Sequence, residues 1–159
     1  MMKFSSVAAL ALTATAWATA APQDPPKCGI LTADDLKAAG VQRIMETGCS
    51  KEFHLILLLG KERALGSVSI FVGDAPNGRA KTAYEQDVAD YQGLGKDAFK
   101  GENLYGEKSY RAKLEDGVAI GFLKGTHYFK FSGGGETPAE QKESEEAGRK
   151  LAKSCAARF

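Results

Sequence analysis

The chain has 159 residues, with 21 Lys and Arg against 20 Asp and Glu, and 43% of its residues are hydrophobic. This near-neutral balance argues against nucleic acid as the main partner, because phosphate recognition needs a net basic footprint. It also provides no general attraction to an anionic membrane surface. The length suits one ordinary domain with a single hydrophobic core.

The N-terminus has the pattern of a secretory signal peptide. An uncharged run, 4–20, follows Lys3 and ends in the tripeptide Ala-Thr-Ala. A basic start, an apolar middle and small residues before a cleavage point are typical of such leaders, and the run is too short to span a bilayer. We therefore expect residues 1–20 to be removed, 21–27 to form a Pro-rich lead-in, and 28–159 to fold as one domain. The mature protein is expected to be secreted, or periplasmic in a bacterial host.

The remaining chain carries three cysteines, Cys28, Cys49 and Cys155. In an oxidising compartment we expect two of them to pair and one to stay unpaired. We predict Cys28–Cys49, which would pin the N-terminal segment to the start of the sheet, and keep Cys28–Cys155 as the alternative. No Cys-x-x-Cys spacing occurs and only two histidines are present, so neither a metal site nor another cofactor is predicted.

The first two helices are predicted from local signals. Thr32 is placed as the N-cap of the first helix, with Asp35 as its N3 partner and Gly40 as the C-terminal stop. The middle helix runs from about Arg79 to Tyr91 on an apolar stripe of helical spacing.

The last helix begins after Thr137, with Pro138 at its first position and Glu140 at its third. It is heavily charged, so we expect it to lie on the surface of the sheet. Its thin apolar stripe consists of Ala147, Leu151 and Cys155.

Strands occupy much of the rest of the chain. The nearly continuous apolar run 53–59 is interpreted as a strand buried on both faces, with a helix as the alternative, and 67–72 alternates apolar and polar residues. Three more strands after Gly106 form a meander. Together, about five antiparallel strands with three helices predict an α+β fold.

The turns of the meander determine its predicted register. A three-residue loop, 115–117, with Gly117 in the left-handed region, pairs Leu114 with Val118 and places every large apolar side chain on one face. A two-residue turn would divide those side chains between the faces. A second turn at 124–125 continues the pattern. The sequence therefore predicts one core face and one polar face.

The polar face of the predicted meander carries four candidate binding residues, Arg111, Lys113, Tyr128 and Lys130. Small residues at Ala119 and Gly121 would leave a shallow floor between long basic side chains and an aromatic ring. Such a surface fits an acidic protein or an anionic glycan. The alternatives are that a helix covers this face or that it is simply solvated.

Catalytic motifs are missing from the sequence. It contains no Gly-x-Ser-x-Gly, His-Glu-x-x-His or Gly-x-Gly-x-x-Gly pattern. His54 and His127 are the only histidines. The predicted register places His127 on the core face, so we interpret it as a partly buried structural residue rather than a catalytic base. No catalytic residue is therefore named.

The opening segment, from Cys28 to Gly40, and the Gly48-Cys49 pair resemble the cysteine-paired domains of unknown function in bacterial cell-envelope lipoproteins. The segment 104–110 looks like a strand entry of the same group. The resemblance implies a PsbP-like α/β sandwich, with an antiparallel sheet and helices packed on it, and a disulfide between the first two cysteines. It transfers no catalytic residue. This chain lacks the lipidation cysteine, has no tryptophan after Cys49 and carries the additional Cys155.

These observations lead us to expect a small non-catalytic binding or accessory protein that acts on a protein or an anionic glycan. One alternative is a secreted inhibitor, immunity or effector protein that inserts the segment 93–106 into a partner's active site. Another is a small secreted hydrolase or toxin that uses His54 or His127 with a nearby carboxylate.

Overall fold

The computed structural model describes residues 29–50, 52–73, 79–106 and 108–159. The predicted leader, 1–20, and lead-in, 21–27, lie outside these residues. The elements are, in chain order, α1 (Ala33–Ala38), β1 (Arg43–Cys49), β2 (Phe53–Leu59), β3 (Ala64–Val72), α2 (Arg79–Gln92), β4 (Phe99–Glu102), β5 (Lys108–Leu114), β6 (Gly117–Lys124), β7 (His127–Gly134) and α3 (Pro138–Ala156).

The strands form one antiparallel sheet in the order β1-β2-β3-β7-β6-β5-β4. Helices α1 and α3 pack on one face, called here the α3 face, and α2 packs on the other, the α2 face. The fold is α+β, but the prediction of about five strands is wrong, because the described residues contain seven.

The two strands that sequence reasoning missed, β1 and β4, are the two edges of the sheet. Along β1, exposed residues alternate with half-buried ones, and β4 is only four residues long. An edge strand pairs on one side only and is often kept short and polar, which limits aggregation. Its sequence therefore carries little of the apolar alternation that identifies a strand.

The helix predictions are confirmed. Thr32 and Asp35 form a reciprocal capping box at the start of α1, and Thr137 and Glu140 form another at the start of α3. Two orphan backbone N–H groups are satisfied at each of these helix starts. No helix in the described part of the chain is long and apolar enough to cross a membrane.

The sheet has a core on each face. The α3-face core is large and aliphatic-aromatic, with fully buried Val68, Ile70, Ile120, Phe122, Phe129, Phe131 and Leu151 among its members. The α2-face core is smaller and tyrosine-rich, and it contains Ala80, Tyr84, Tyr110, Ala112, Ala119 and Tyr128. Strand β6 is therefore buried on both faces. In contrast, β2 buries only the face that carries His54, Ile56 and Leu58, so its predicted burial on both faces is wrong.

The turn between β5 and β6 has two residues, not three. Leu114 pairs with Gly117, and Gly117 does not have a positive φ. This arrangement places Tyr110 on the α2 face and Phe122 on the α3 face. The prediction that every large apolar side chain of the meander lies on one face is therefore wrong. The observed arrangement is stable because helices cover both faces of the sheet.

The turn between β6 and β7 lies one residue later than predicted. Lys124 pairs with His127, and Gly125 has φ +56°, a left-handed conformation that glycine adopts easily. Phe122 therefore pairs with Phe129 instead of His127. The register is displaced by two residues, so the predicted face of these side chains is still correct.

Candidate binding surface

The structure places the four predicted binding residues on both faces of the sheet. Arg111 bonds to Glu145 of α3, and Lys113 lies on the same face as Arg111. Tyr128 and Lys130 lie on the α2 face. A one-residue difference in a turn reverses the face of a whole strand. The observed β5–β6 turn is one residue shorter than predicted, so Arg111 and Lys113 lie on the opposite face from the other two residues. The predicted four-residue surface does not exist.

Tyr128 belongs to a buried hydrogen-bond network. Its hydroxyl lies 2.6 Å from that of Tyr110 and donates to Asp87 Oδ2 at 2.5 Å. Both tyrosines are fully buried. Burial raises the pKa of the Tyr110 and Tyr128 hydroxyls far above the usual range, so both stay protonated. The network ties α2 to the sheet and offers no hydroxyl to a partner.

Lys130 is paired inside the same network. Its Nζ donates to Asp87 Oδ1 at 2.8 Å and lies 5.3 Å from the centre of the Tyr91 ring. Burial alone lowers the pKa of Lys130, but the hydrogen bond and the charge of Asp87 outweigh burial and raise it. The ammonium of Lys130 is therefore charged, but its charge is balanced by Asp87, so it attracts an external anion only weakly.

On the α3 face, two arginines share one carboxylate. Arg111 donates through Nε and Nη2 to the two oxygens of Glu145, both at 2.7 Å. Arg149, one helical turn after Glu145, donates to Glu145 Oε1 at 2.9 and 3.1 Å. The hydrogen bonds from Arg111 outweigh burial and hold the pKa of Glu145 below its usual value. These contacts fix both guanidinium groups between β5 and α3.

Two exposed lysines extend this cluster along the sheet edge. Lys100 of β4 is the cross-strand partner of Arg111, and Lys113 lies two residues beyond Arg111 on the same face. Both lysines are exposed. We call Lys100, Arg111, Lys113 and Arg149 the basic patch.

A buried carboxylate lies beneath the basic patch. The side chain of Glu102 is 9% exposed, and its Oε2 is 3.9 Å from Arg149 Nη1. This oxygen has no hydrogen-bond partner among the described residues. Together, the four cations of the basic patch and the carboxylates of Glu102 and Glu145 carry a formal net charge of +2, on a chain that is nearly neutral overall.

Sequence reasoning named Arg111 and Lys113 but missed Lys100 and Arg149. The alternation of Phe99, Lys100, Gly101 and Glu102 was a signal for Lys100, although a weak one over four residues. The i, i+4 spacing of Glu145 and Arg149 was a signal for Arg149.

The histidines form no catalytic pair in the described part of the chain. His54 is buried, and its Nδ1 has no hydrogen-bond partner there. His127 stacks on Phe159 with ring centroids 4.4 Å apart, and its Nδ1 lies 3.4 Å from Thr126 Oγ1. Burial, with a smaller effect of His54, lowers the pKa of His127. No group of three or more potential metal-ligating side chains lies together in the same residues.

The cysteines are only partly described. Cys155 is a free thiol buried in the α3-face core, so the alternative Cys28–Cys155 pairing is wrong. Burial raises the pKa of this thiol to about 12. Cys49 is disulfide-bonded. Cys28, its predicted partner, lies outside the described residues, so the Cys28–Cys49 pairing stays a prediction.

The segment 93–106 is not one continuous loop. It contains β4, which leaves shorter loops on either side of this strand. Leu94 and Leu104 in those loops are 54% and 62% exposed. The inhibitor alternative therefore has two short exposed loops to work with, and it stays a prediction.

A cavity of about 620 Å³ lies at one end of the sheet, beside Arg63, Asp116 and Glu140. The Arg63 guanidinium donates to the carbonyls of Gly134 and Glu140 at 2.8 and 2.6 Å and to Glu143 Oε2 at 2.8 Å. Because Arg63 has these partners, it joins the β2–β3 connection to β7 and α3. We interpret this wall of the cavity as structural.

No protein-family model, curated protein or solved structure matches this chain. The resemblance to the lipoprotein domains and to a PsbP-like fold therefore stays a prediction.

Proposed function

We propose that this protein is a secreted, non-catalytic binding protein that holds an anionic partner on the basic patch. The observation that carries the proposal is the grouping of Lys100, Arg111, Lys113 and Arg149 around the carboxylates of Glu102 and Glu145. The proposed partner is an acidic protein or an anionic glycan, as expected from the sequence. Tyr128 and Lys130 leave the site, since both face α2.

The two arginines are held in place before a partner arrives. Arg111 uses two N–H groups on Glu145, and a guanidinium has five, so donors are left for a second anion. A side chain that is already ordered loses less conformational entropy on binding. The flexible lysines at the rim add attraction and speed encounter. The patch therefore combines a fixed centre with an adaptable edge.

Export is part of the proposal. The leader-like run 4–20 and the small residues before Ala21 support secretion. A disulfide between Cys28 and Cys49 is consistent with an oxidising compartment. Mass spectrometry of the secreted protein, with a non-reduced digest, tests both points. We expect a chain that begins at Ala21 and a peptide pair joined through Cys28.

The patch is tested by charge reversal. Lys100→Glu with Lys113→Glu is compared with Lys61→Glu with Lys150→Glu, which makes the same change in net charge at exposed positions outside the patch. Two probes, heparin and a poly-glutamate peptide, cover the glycan and protein classes. We expect the patch variant to weaken binding of at least one probe about tenfold, because close charge pairs are lost. If both variants weakened binding equally, net charge alone would explain the loss, and the basic patch would be rejected as the binding site.

A further inference from the structure

In the part of the chain that the structure describes, strand β4 forms one open edge of the sheet. Among the described residues, β5 is the strand next to β4, and no strand lies on the other side. The N–H of Lys113 in β5 donates to the carbonyl of Ala98 at 2.6 Å. Backbone N–H and C=O groups alternate in direction along an antiparallel strand. Those of Lys100 and Glu102 therefore point toward β5, as the carbonyl of Ala98 does. The N–H and C=O of Gly101 therefore point to the open edge.

The length of this open edge is set by neighbouring contacts. The N–H of Phe99 also points away from β5, but it donates to the carbonyl of Gly95 at 3.2 Å. Gly101 has no side chain, and a Cβ built on it meets no atom within 4 Å. A Cβ points out of the plane of the sheet, so this space lies on the α2 face beside Gly101. In the plane of the sheet, the outward N–H and C=O of Gly101 can exchange two hydrogen bonds with an extended segment.

The opposite edge of the sheet is less suited to such an addition. Strand β1 contains a register shift between Glu46 and Gly48. A bulge interrupts the regular ladder and twists an edge away from partners. Strand β4 pairs with β5 without a shift.

Charge indicates what kind of segment fits this edge. Lys100 lies on the α3 face of β4, beside Arg111, and is exposed. A residue placed opposite Lys100 on an added strand would have its side chain within reach of the basic patch, and an opposite charge stabilises such a cross-strand pair. A carboxylate opposite Lys100 therefore satisfies both the backbone and the patch, whereas Glu102, two residues further along the same face, repels a second carboxylate placed opposite it.

We infer that an acidic, extended segment of a partner protein adds to β4 as an eighth strand and places a carboxylate over the basic patch. This inference rests on the proposed function and narrows it from any anionic partner to a polypeptide. Backbone pairing at Gly101 supplies affinity, and alternate side chains supply specificity, as in other strand additions.

The test uses a ten-residue peptide of alternating Glu and Val, and the same peptide N-methylated at alternate residues to block pairing. Gly101→Pro removes the outward N–H and leaves all charges, while Gly101→Ala keeps the N–H. We expect Gly101→Pro, or N-methylation, to weaken peptide binding about tenfold, and Gly101→Ala to change it less than about twofold. Heparin binding should be the same in both Gly101 variants.

Amide hydrogen exchange of the unmodified protein gives a second readout that does not depend on a variant folding. The peptide should protect the Gly101 amide, and the N-methylated peptide should not. Undiminished peptide binding by Gly101→Pro, or no protection at Gly101, would overturn the inference. Heparin binding without peptide binding would overturn it and leave the proposed function standing, whereas insensitivity of both probes to the Lys100 and Lys113 reversals would reject the proposed function. A dimer that forms through β4 would show that a second copy is the occupant instead.

Discussion

Arg111 and Glu145 join strand β5 to helix α3 through two parallel hydrogen bonds of 2.7 Å. Their side chains are 30% and 24% exposed, so the pair is only partly screened by water. Arg149 donates to the same carboxylate. This shared contact both attaches the helix and orders the centre of the basic patch.

Glu145→Gln should lower the free energy of unfolding at pH 7 by about 1 kcal/mol, because it weakens the bonds to both arginines. The pKa of Glu145 is lower in the folded protein than in the unfolded chain, so its contribution is present above the unfolded pKa. It is lost as pH falls through the folded pKa. Urea unfolding at pH 7 and pH 3 should show a smaller deficit of the variant at pH 3 than at pH 7. Glu146→Gln, in an exposed 4.0 Å pair, is the control and should be near neutral at both pH values.

The tyrosine network predicts an order of stability losses. Tyr128→Phe leaves the Tyr110 hydroxyl buried without its partner and removes the bond to Asp87, so we expect a loss of about 2 kcal/mol. Tyr110→Phe keeps the bond from Tyr128 to Asp87 and should cost about 1 kcal/mol. Urea unfolding measures both variants. A larger loss for Tyr110→Phe would show that the energy does not follow this chain of bonds.

Two glycines allow the elements to pack closely on the sheet. A Cβ on Gly121 would lie 2.5 Å from the Tyr110 ring, and one on Gly148 would lie 2.3 Å from the Phe131 ring. Substitution of either by Ala should cost roughly 1 to 3 kcal/mol, because the surrounding side chains must shift. Gly101→Ala, where a Cβ has open space, is the matched control. Equal thermal stability of all three variants would contradict this account of the packing.

The pKa of His127 predicts sensitivity to mild acid. The folded pKa lies below the unfolded value of 6.5, so below pH 6.5 the unfolded chain binds more protons. Stability contributed by neutral His127 is therefore lost as pH falls from 6.5 toward the folded pKa. His127→Phe, which keeps a ring against Phe159, should lose less stability between pH 7.5 and pH 5 than the unmodified protein. Identical pH dependence of unfolding in the two proteins would rule out this role for His127.

The parts of the fold that could be predicted are those that depend on adjacent residues. The capping boxes at Thr32 and Thr137 act within one helical turn, so the helices could be located without tertiary information. The edge strands could not, because β4 has four residues and owes its conformation to β5. Burial pattern is a property of the neighbours as much as of the strand.

The candidate site was predicted only in part, because the faces of its strands depend on tertiary structure. The faces of β5 relative to β6 depend on one residue in the turn, and the choice was made by assuming a single core. The structure has two cores, because the small residues Ala112, Ala119 and Gly121 make room for tyrosines under α2. Arg111 and Lys113 were therefore correctly placed together, as were Tyr128 and Lys130, but the two pairs lie on opposite faces and not on one. Small residues at Ala119 and Gly121 allow a covering helix layer, but they do not by themselves require one.

The proposal depends on anions binding at the basic patch and nowhere else on the sheet. The most direct test is to titrate the ¹⁵N-labelled protein with the alternating Glu-Val peptide and with heparin, and to map the amide shifts. Saturable shifts centred on Lys100, Arg111, Lys113 and Arg149 are the predicted result. Shifts centred instead on the half-buried leucines of β2, or spread evenly over all exposed lysines, would contradict it.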